Sequence, residues 1–259
     1  MDQKQHHIDL KPGDVGRYVL LPGDPGRTEL IASYFDDAKE IAYKREYRTF
    51  TGTLLGEKVS VTSTGIGCPS AAIAMEELVA IGADTFIRVG TSGGIQPDTI
   101  NGEVAVVSGA IRDEGTTSHY MPIEFPAVAD LDVTLALRKA AQDLSLPYRV
   151  GISQSKDSFY GEVTPERMPV AKRLHDRWKA WTDGGAVCSE MEAAALFVIG
   201  SIHRVRAGGV MLMANIYKRP ETPQEVEQFN REFDINKPIR VAVEALKTLI
   251  EADRAKAKS

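Results

Sequence analysis

An arginine set inside an apolar strand is the feature of this sequence that most demands a partner. In Phe86-Ile87-Arg88-Val89-Gly90-Thr91-Ser92-Gly93-Gly94, Arg88 sits near the end of a run of buried type that passes into glycines and two hydroxyls. A guanidinium removed from water without an anion is very costly, so Arg88 requires either phosphate or an internal carboxylate. A second cation follows a similar run: Pro22-Gly23-Asp24-Pro25-Gly26-Arg27 combines glycines, which let a ligand approach bare N–H groups, with Arg27. Taken alone, that segment reads equally well as a tight turn with a solvated arginine. The glycine-rich stretch Gly90–Gly94 lacks the lysine of a Walker loop, so a nucleoside triphosphate site is not expected.

Acids and aromatics cluster in two further places. Val187-Cys188-Ser189-Glu190-Met191-Glu192 joins an apolar strand to an alanine-rich helix. Glu190 and Glu192, two apart, cannot share a helix face, so at most one lines a site; alternatively, both complement the helix dipole. Lys156-Asp157-Ser158-Phe159-Tyr160-Gly161-Glu162, continuing to Pro165-Glu166-Arg167, offers stacking surface, a carboxylate and an arginine to a planar heterocycle, or simply leads into a helix at Pro165. Lys44-Arg45-Glu46-Tyr47-Arg48 resembles a charged edge strand that blocks aggregation. His6 and His7 fall in a terminus expected to be flexible, and His119, His175 and His203 have no metal-ligand spacing, so no metal site is expected.

These residues need elements to hold them. Short β-branched or apolar runs at 18–21, 59–62, 85–89, 104–107, 149–152 and 208–214 read as strands. Apolar spacings of three and four predict helices over 70–81, 133–144, 165–178, 191–199 and 237–250. Alternation of the two implies an α/β fold: one domain over residues 1–259, with a central, mostly parallel mixed sheet flanked by helices and a charged tail, 251–259, expected to fray. In such sheets ligands sit beyond the carboxyl ends of strands, where the motifs above lie.

In this order the motifs resemble the nucleoside phosphorylase-I family, most closely its uridine phosphorylase branch. The matching segments are Leu21–Pro25, Arg45-Glu46, Ser63–Gly67, Phe86–Thr91, Glu124–Asp130, Asp157–Tyr160 and Glu190–Glu192, which span nearly the whole chain. The resemblance implies a three-layer fold that cleaves the N-glycosidic bond of uridine with inorganic phosphate, giving uracil and ribose 1-phosphate with inversion. It implies that Gly23, Arg27, Arg88 and Thr91 surround phosphate, with Arg45 reaching in from a neighbouring subunit. Met191 and Glu192 would hold the ribose hydroxyls, and His7 would reach the 5′-hydroxyl of an adjacent protomer's substrate. Phe159 would pack on sugar and base, Ser92 and Gly93 would border the base, and Arg167 would bind a base carbonyl. Arg88, Glu192 and Arg167 are the expected catalytic groups. The enzyme would use no organic cofactor, would be a homo-oligomer of at least two subunits and by expectation a hexamer built as a trimer of dimers, and could hold a monovalent cation between subunits near Glu46, Ile66 and Ser70.

One position departs from the pattern. The branch carries a glutamine in its base-reading loop, and the nearest residue here is Glu162, with a length difference before Pro165-Glu166-Arg167. An ionised glutamate only accepts hydrogen bonds, which suits the two adjacent donors of guanine better than the imide edge of uracil. A 6-oxopurine nucleoside, guanosine or inosine, is therefore the alternative substrate. Against it, the hexameric purine branch uses an aspartate after its last core strand, and Met213–Arg219 contains no acid. A nucleosidase, which could dispense with the phosphate arginines Arg27, Arg45 and Arg88, and a non-catalytic protein on the same fold are weaker alternatives.

Composition narrows the field from outside. A net charge of −5 in 259 residues argues against a protein that coats nucleic acid or anionic membrane. No stretch approaches the roughly 18 apolar residues needed to span a bilayer, and the two cysteines form no disulfide framework. A cytoplasmic location is expected.

Overall fold

The computed structural model describes residues 3–217 and 220–257. In chain order the elements are β1 (Tyr18–Pro22), α1 (Gly26–Ala32), β2 (Asp36–Lys44), β3 (Tyr47–Leu54), β4 (Glu57–Thr62), α2 (Cys68–Ala80), β5 (Thr85–Gly94), β6 (Glu103–Asp113), β7 (Ala127–Val128), α3 (Leu131–Asp143), β8 (Tyr148–Lys156), α4 (Phe159–Val163), α5 (Ala171–Asp183), β9 (Cys188–Glu190), α6 (Ala193–His203), β10 (Arg206–Asn215), α7 (Pro223–Glu232) and α8 (Asn236–Lys256). The sheet is mixed, as expected, with strand order β10-β6-β8-β9-β5-β1-β4-β3-β2. A further β5–β10 pairing closes five of these strands into a ring, and β5 is its keystone. Parallel pairs (β1–β4, β1–β5, β5–β10, β6–β8 and β8–β9) are matched by antiparallel ones (β2–β3, β3–β4, β5–β9, β6–β7 and β6–β10), so the antiparallel share is larger than the sequence suggests.

Side chains alternate across this sheet and feed two cores. Val19, Leu21 and Phe86 face the side of α2 and α6, while Tyr18, Leu20, Ile87 and Val89 face that of α3 and α8. The period of two places Arg88 on the same side as Phe86, toward α6. That helix is buried all round from Ala193 to Gly200, which its near-continuous apolar sequence requires. Local signals set the helix starts: Asp130 accepts from the Val133 N–H before α3, Ser158 from the Gly161 N–H before α4, and Thr222 with Glu225 forms a capping box before α7.

Several elements differ from the sequence expectations, each for a visible reason. The glycine-rich stretch after Arg88 is strand, not loop: β5 pairs with β10 as far as Gly94↔Asn215. Its glycines serve packing, since a Cβ on Gly90 would stand 2.4 Å from Met211 Sδ and one on Gly94 2.3 Å from Thr99 Cγ2. The helix expected over 165–178 is a 3₁₀ turn, Pro165–Arg167, followed by α5, with Pro169 in the break. The charged edge near Arg45 is a hairpin turn between β2 and β3, with Arg45 at φ 56°. The tail expected to fray continues α8 to Lys256 and is tied down: Arg206 donates to Asp253 at 2.6 and 3.0 Å, and the Tyr18 hydroxyl donates to it at 2.7 Å. The N-terminal segment is likewise anchored, with Ile8 and Leu10 fully buried.

Candidate active site

The turn after β1 and the loop after β4 lie against each other. The Thr64 N–H donates to the Pro22 carbonyl and the Gly65 N–H to the Gly23 carbonyl, both at 2.9 Å. Glycine suits position 23, because a Cβ would be crowded by the Gly65 carbonyl at 3.1 Å and Arg88 Nη1 at 3.3 Å. The guanidinium of Arg88, 5% exposed, is thus carried by β5 directly beneath this turn, where Nη1 donates to the Leu21 carbonyl at 3.2 Å. Its Nη2 donates to Glu192 Oε2 at 2.5 Å, and Glu192, 3% exposed, also accepts from the Gly67 N–H at 2.7 Å. Arg88 Nε is buried with no partner among the described residues. Of the two partners open to Arg88 on sequence grounds, the structure supplies the internal carboxylate and leaves one donor over.

Arg27, at the start of α1, comes to the same place. Its one near carboxylate is Asp24 at 3.9 Å. Burial, and then the proximity of Arg88, hold its guanidinium below the usual arginine value. Two guanidiniums that repel each other, with Glu192 in close contact with Arg88 alone and Asp24 only at 3.9 Å from Arg27, form a cradle that an oxyanion would satisfy with charge-assisted hydrogen bonds. Thr91, half-buried, follows on β5.

The two glutamates have separated, though not as neighbours on one helix: Glu190 ends β9, and Glu192 lies past a bend, just before α6. Glu190, on β9, turns inward: it accepts from the N–H groups of Glu192 at 2.7 Å and Ala193 at 2.8 Å and from the Ser155 hydroxyl. It caps the N-terminus of α6, and burial, then the neighbouring Glu192, push its carboxyl up from the ordinary range. Glu192 faces the arginines, and half-buried Met191 lies between them in the bend.

β5 runs on from the arginine cradle to Ser92 and Gly93, where a second polar cluster gathers. Ser92 is buried and donates to the Leu212 carbonyl at 3.3 Å. A Cβ on Gly93 would lie 3.0 Å from Ile216 Cγ2 and 3.8 Å from Glu162 Oε1, so Glu162 faces this strand and not solvent. Glu162 lies 2.9 Å from Lys156 Nζ and lines, with Lys156, Gln154, Ile216 and Trp178, a cavity of about 430 Å³. The sequence reading placed Lys156 in a loop and gave it no role; the extension of β8 to Lys156 buries it.

Four expected site residues, Arg167, Phe159, Arg45 and His7, lie apart from these clusters in the single chain. Arg167 is exposed on the 3₁₀ turn, and its neighbours Pro165 and Glu166 line the cavity instead. Phe159 is exposed and packs edge-on against Tyr160, with ring centroids 5.5 Å apart. Arg45 is exposed at the β2–β3 turn. His7 is held, not loose: its Nδ1 lies 2.6 Å from Glu77 Oε1, and its backbone N–H also donates to that carboxylate. At the expected cation position Ser70 Oγ lies 2.7 Å from Glu46 Oε1 and 2.5 Å from the Thr64 carbonyl, with one proton to share between them, while Ile66 is exposed. Burial, the largest single influence, raises the Glu46 carboxyl, but the hydrogen bonds from Ser70, its own backbone and Tyr47 and the charge of Arg45 together outweigh it and leave the group below the ordinary range. Among the described residues, no group of three or more His, Cys, Asp or Glu could hold a metal ion, and no helix is long and apolar enough to cross a membrane. Of the segment Met213–Arg219, Lys218 and Arg219 lie outside the described residues.

Residues 17–248 match the phosphorylase superfamily. The chain is 50% identical over 250 residues to the uridine phosphorylase of Treponema pallidum (strain Nichols), covering 96% of this chain and 95% of that protein. It is 36% identical over 251 residues to the guanosine phosphorylase of Halorubrum lacusprofundi, covering 95% and 99%. A crystal structure of uridine phosphorylase from Vibrio fischeri ES114 superposes with a TM-score of 0.85 at 31% identity, covering 97% of this chain and 98% of that one.

Proposed function

This chain belongs to the phosphorylase superfamily, and from that premise we propose that it is a uridine phosphorylase, a pentosyltransferase that exchanges uracil for inorganic phosphate on ribose. The observation that carries the reading is the convergence of Arg27 and Arg88 beside Glu192 under the Gly23 turn. Phosphate in this cradle takes hydrogen bonds from both guanidiniums, the backbone at Gly23 and the Thr91 hydroxyl, and Arg45 of a neighbouring copy completes its shell. The unsatisfied Arg88 Nε belongs to this set.

Glu192 accepts from the ribose hydroxyls, and Met191 packs against the sugar. As the glycosidic bond stretches, the ribose gains positive charge and the base negative charge. Phosphate, held on the face opposite the base, stabilises the first and attacks the anomeric carbon, so the product has inverted configuration. The electron pair of the broken bond leaves with uracil. Ser92, Gly93 and Glu162 border the base, Phe159 closes over it, and Arg167 reaches a base carbonyl when the Pro165–Arg167 turn moves inward. No protein nucleophile, organic cofactor or metal takes part in the step; a monovalent cation beside Glu46 would serve the interface. His7 extends to a neighbouring site, which makes the working unit at least a dimer, and a hexamer fits the contributions of Arg45 and His7. The cytoplasm is the proposed location.

A second reading, cleavage of guanosine or inosine, is favoured by one observation, the carboxylate of Glu162 facing the base side of β5. Release of base from uridine, thymidine, inosine and guanosine, each with and without phosphate, decides between them. Phosphate-dependent release of uracil is expected. Release of purine alone would establish the second reading, and release without phosphate would overturn both.

A further inference from the structure

The two oxygens of Glu162 have unlike surroundings. Oε2 lies 2.9 Å from the Lys156 ammonium and 2.5 Å from Ser189 Oγ. Lys156, only 6% exposed, also donates to Ser189 at 2.6 Å. Ser189 Oγ lies 2.8 Å from Gln154 Oε1 as well, but its single proton serves the nearer, charged acceptor. Gln154 is fixed in turn by donating to Asp113 at 2.7 Å. Both lone pairs of Oε2 are therefore engaged by groups that β8 and β9 hold in place. Oε1 points the other way, toward Gly93.

We propose that Lys156 and Ser189 set the base preference of this enzyme by withdrawing one oxygen of Glu162, so that the carboxylate presents a single acceptor to the base. The inference rests on the uridine phosphorylase reading. Uracil offers one ring donor, N3–H, flanked by carbonyls; one acceptor satisfies it, and a second carboxylate oxygen would face a carbonyl lone pair. Turning that oxygen onto a lysine removes the conflict that a glutamate at this position creates. Guanine offers two adjacent donors, N1–H and the exocyclic amine, which a carboxylate meets best with both oxygens free. Against the clamped carboxylate one of them stays unpaired in a site shielded from water, and that discriminates against it. Lys156 acts through Glu162 and is a positioning residue. Freed of the lysine, the carboxylate can turn both oxygens to the base.

The test compares kcat/KM for uridine and guanosine, with saturating phosphate, in the wild type and three variants. Lys156→Met is expected to raise the guanosine-to-uridine ratio by about tenfold, equivalent to about 1.4 kcal/mol. Ser189→Ala, which removes the other partner of Oε2, moves the ratio the same way by less. Glu162→Gln moves it the opposite way, because an amide has one acceptor oxygen and its N–H suits a flanking carbonyl. A loss of packing alone would lower both substrates together and leave the ratio in place. If Lys156→Met fails to fold, Ser189→Ala and Glu162→Gln still carry opposite expectations. A ratio unchanged in every folded variant, or shifted in the same direction by all, overturns the proposal. Absence of phosphate-dependent uracil release by the wild type would instead overturn the uridine reading, and this inference with it.

Discussion

Replacing Arg88 by methionine separates two roles that the Arg88–Glu192 contact combines. In the folded chain Glu192 keeps the Gly67 N–H at 2.7 Å but loses the guanidinium at 2.5 Å, and at 3% exposure no water compensates. Removing one member of a buried pair costs about 3–5 kcal/mol, chiefly through the stranded charge. Reverting that charge with Glu192→Gln in the double variant should restore most of the stability, since a neutral amide beside an apolar side chain leaves nothing ionised. Activity should behave differently. Losing a preorganised donor to an oxyanion typically lowers turnover by about 10²–10³-fold, and Glu192→Gln also weakens the ribose contacts, so the double variant stays inactive. Thermal melting read beside phosphate-dependent uracil release, for both single variants and the double, gives the comparison. Uracil release within about tenfold of wild type in the refolded double variant would make Arg88 a structural partner of Glu192 and refute the phosphate cradle.

Other expectations follow from single contacts. Arg27→Met, lacking a close ion pair to break, should leave the melting temperature nearly unchanged, yet raise the phosphate KM by about tenfold or more as a charged hydrogen-bond donor is lost; millimolar phosphate should stabilise the wild type more than this variant. Asp253→Asn should cost about 2 kcal/mol by weakening the bonds from Arg206 and Tyr18. Burial raises the Asp253 carboxyl, but those bonds prevail and hold it below the ordinary value. Its contribution is therefore present above the unfolded aspartate pKa of about 3.9 and fades as pH falls through the lower folded value, so wild-type and Asn melting curves should converge in acid. Gly90→Ala drives a methyl toward Met211 Sδ and should lower stability by about 1–3 kcal/mol, with Met211→Ala in the same chain recovering part of it.

How legible the site was in the sequence depended on whether one residue's chemistry limited its surroundings. Arg88 in an apolar strand forced an anionic partner, and the structure supplies Glu192. The separation of Glu190 from Glu192 was expected from helical spacing, but it arises otherwise: Glu190 ends β9 and Glu192 precedes α6, with the bend at Met191 between them. The apolar runs likewise located the central strands and the helices flanking them. What stayed hidden depended on pairing between distant segments. Gly90–Gly94 looks like a loop until β10 lies alongside it, and Lys156 looks solvated until β8 extends past Ile152 to reach β9. Backbone pairing overrode the local propensity of glycine and serine in both cases. The tail beyond Glu251 looked free because its anchor, Arg206, lies 47 residues upstream of Asp253.

The three-residue strand β9 has a consequence for how the enzyme comes into being. It is the piece through which β8 meets β5, with Gly93↔Ser189 on one edge and Gln154↔Ser189 on the other. Ser189 points to the base cluster, Glu190 locks the start of α6, and Glu192 follows to Arg88, so one short segment delivers all three. Its contacts join segments far apart in sequence, and closing such loops carries an entropy cost that grows with their length. A polypeptide truncated before Cys188 loses at one stroke the serine beside Glu162, the carboxylate at the start of α6 and the partner of Arg88.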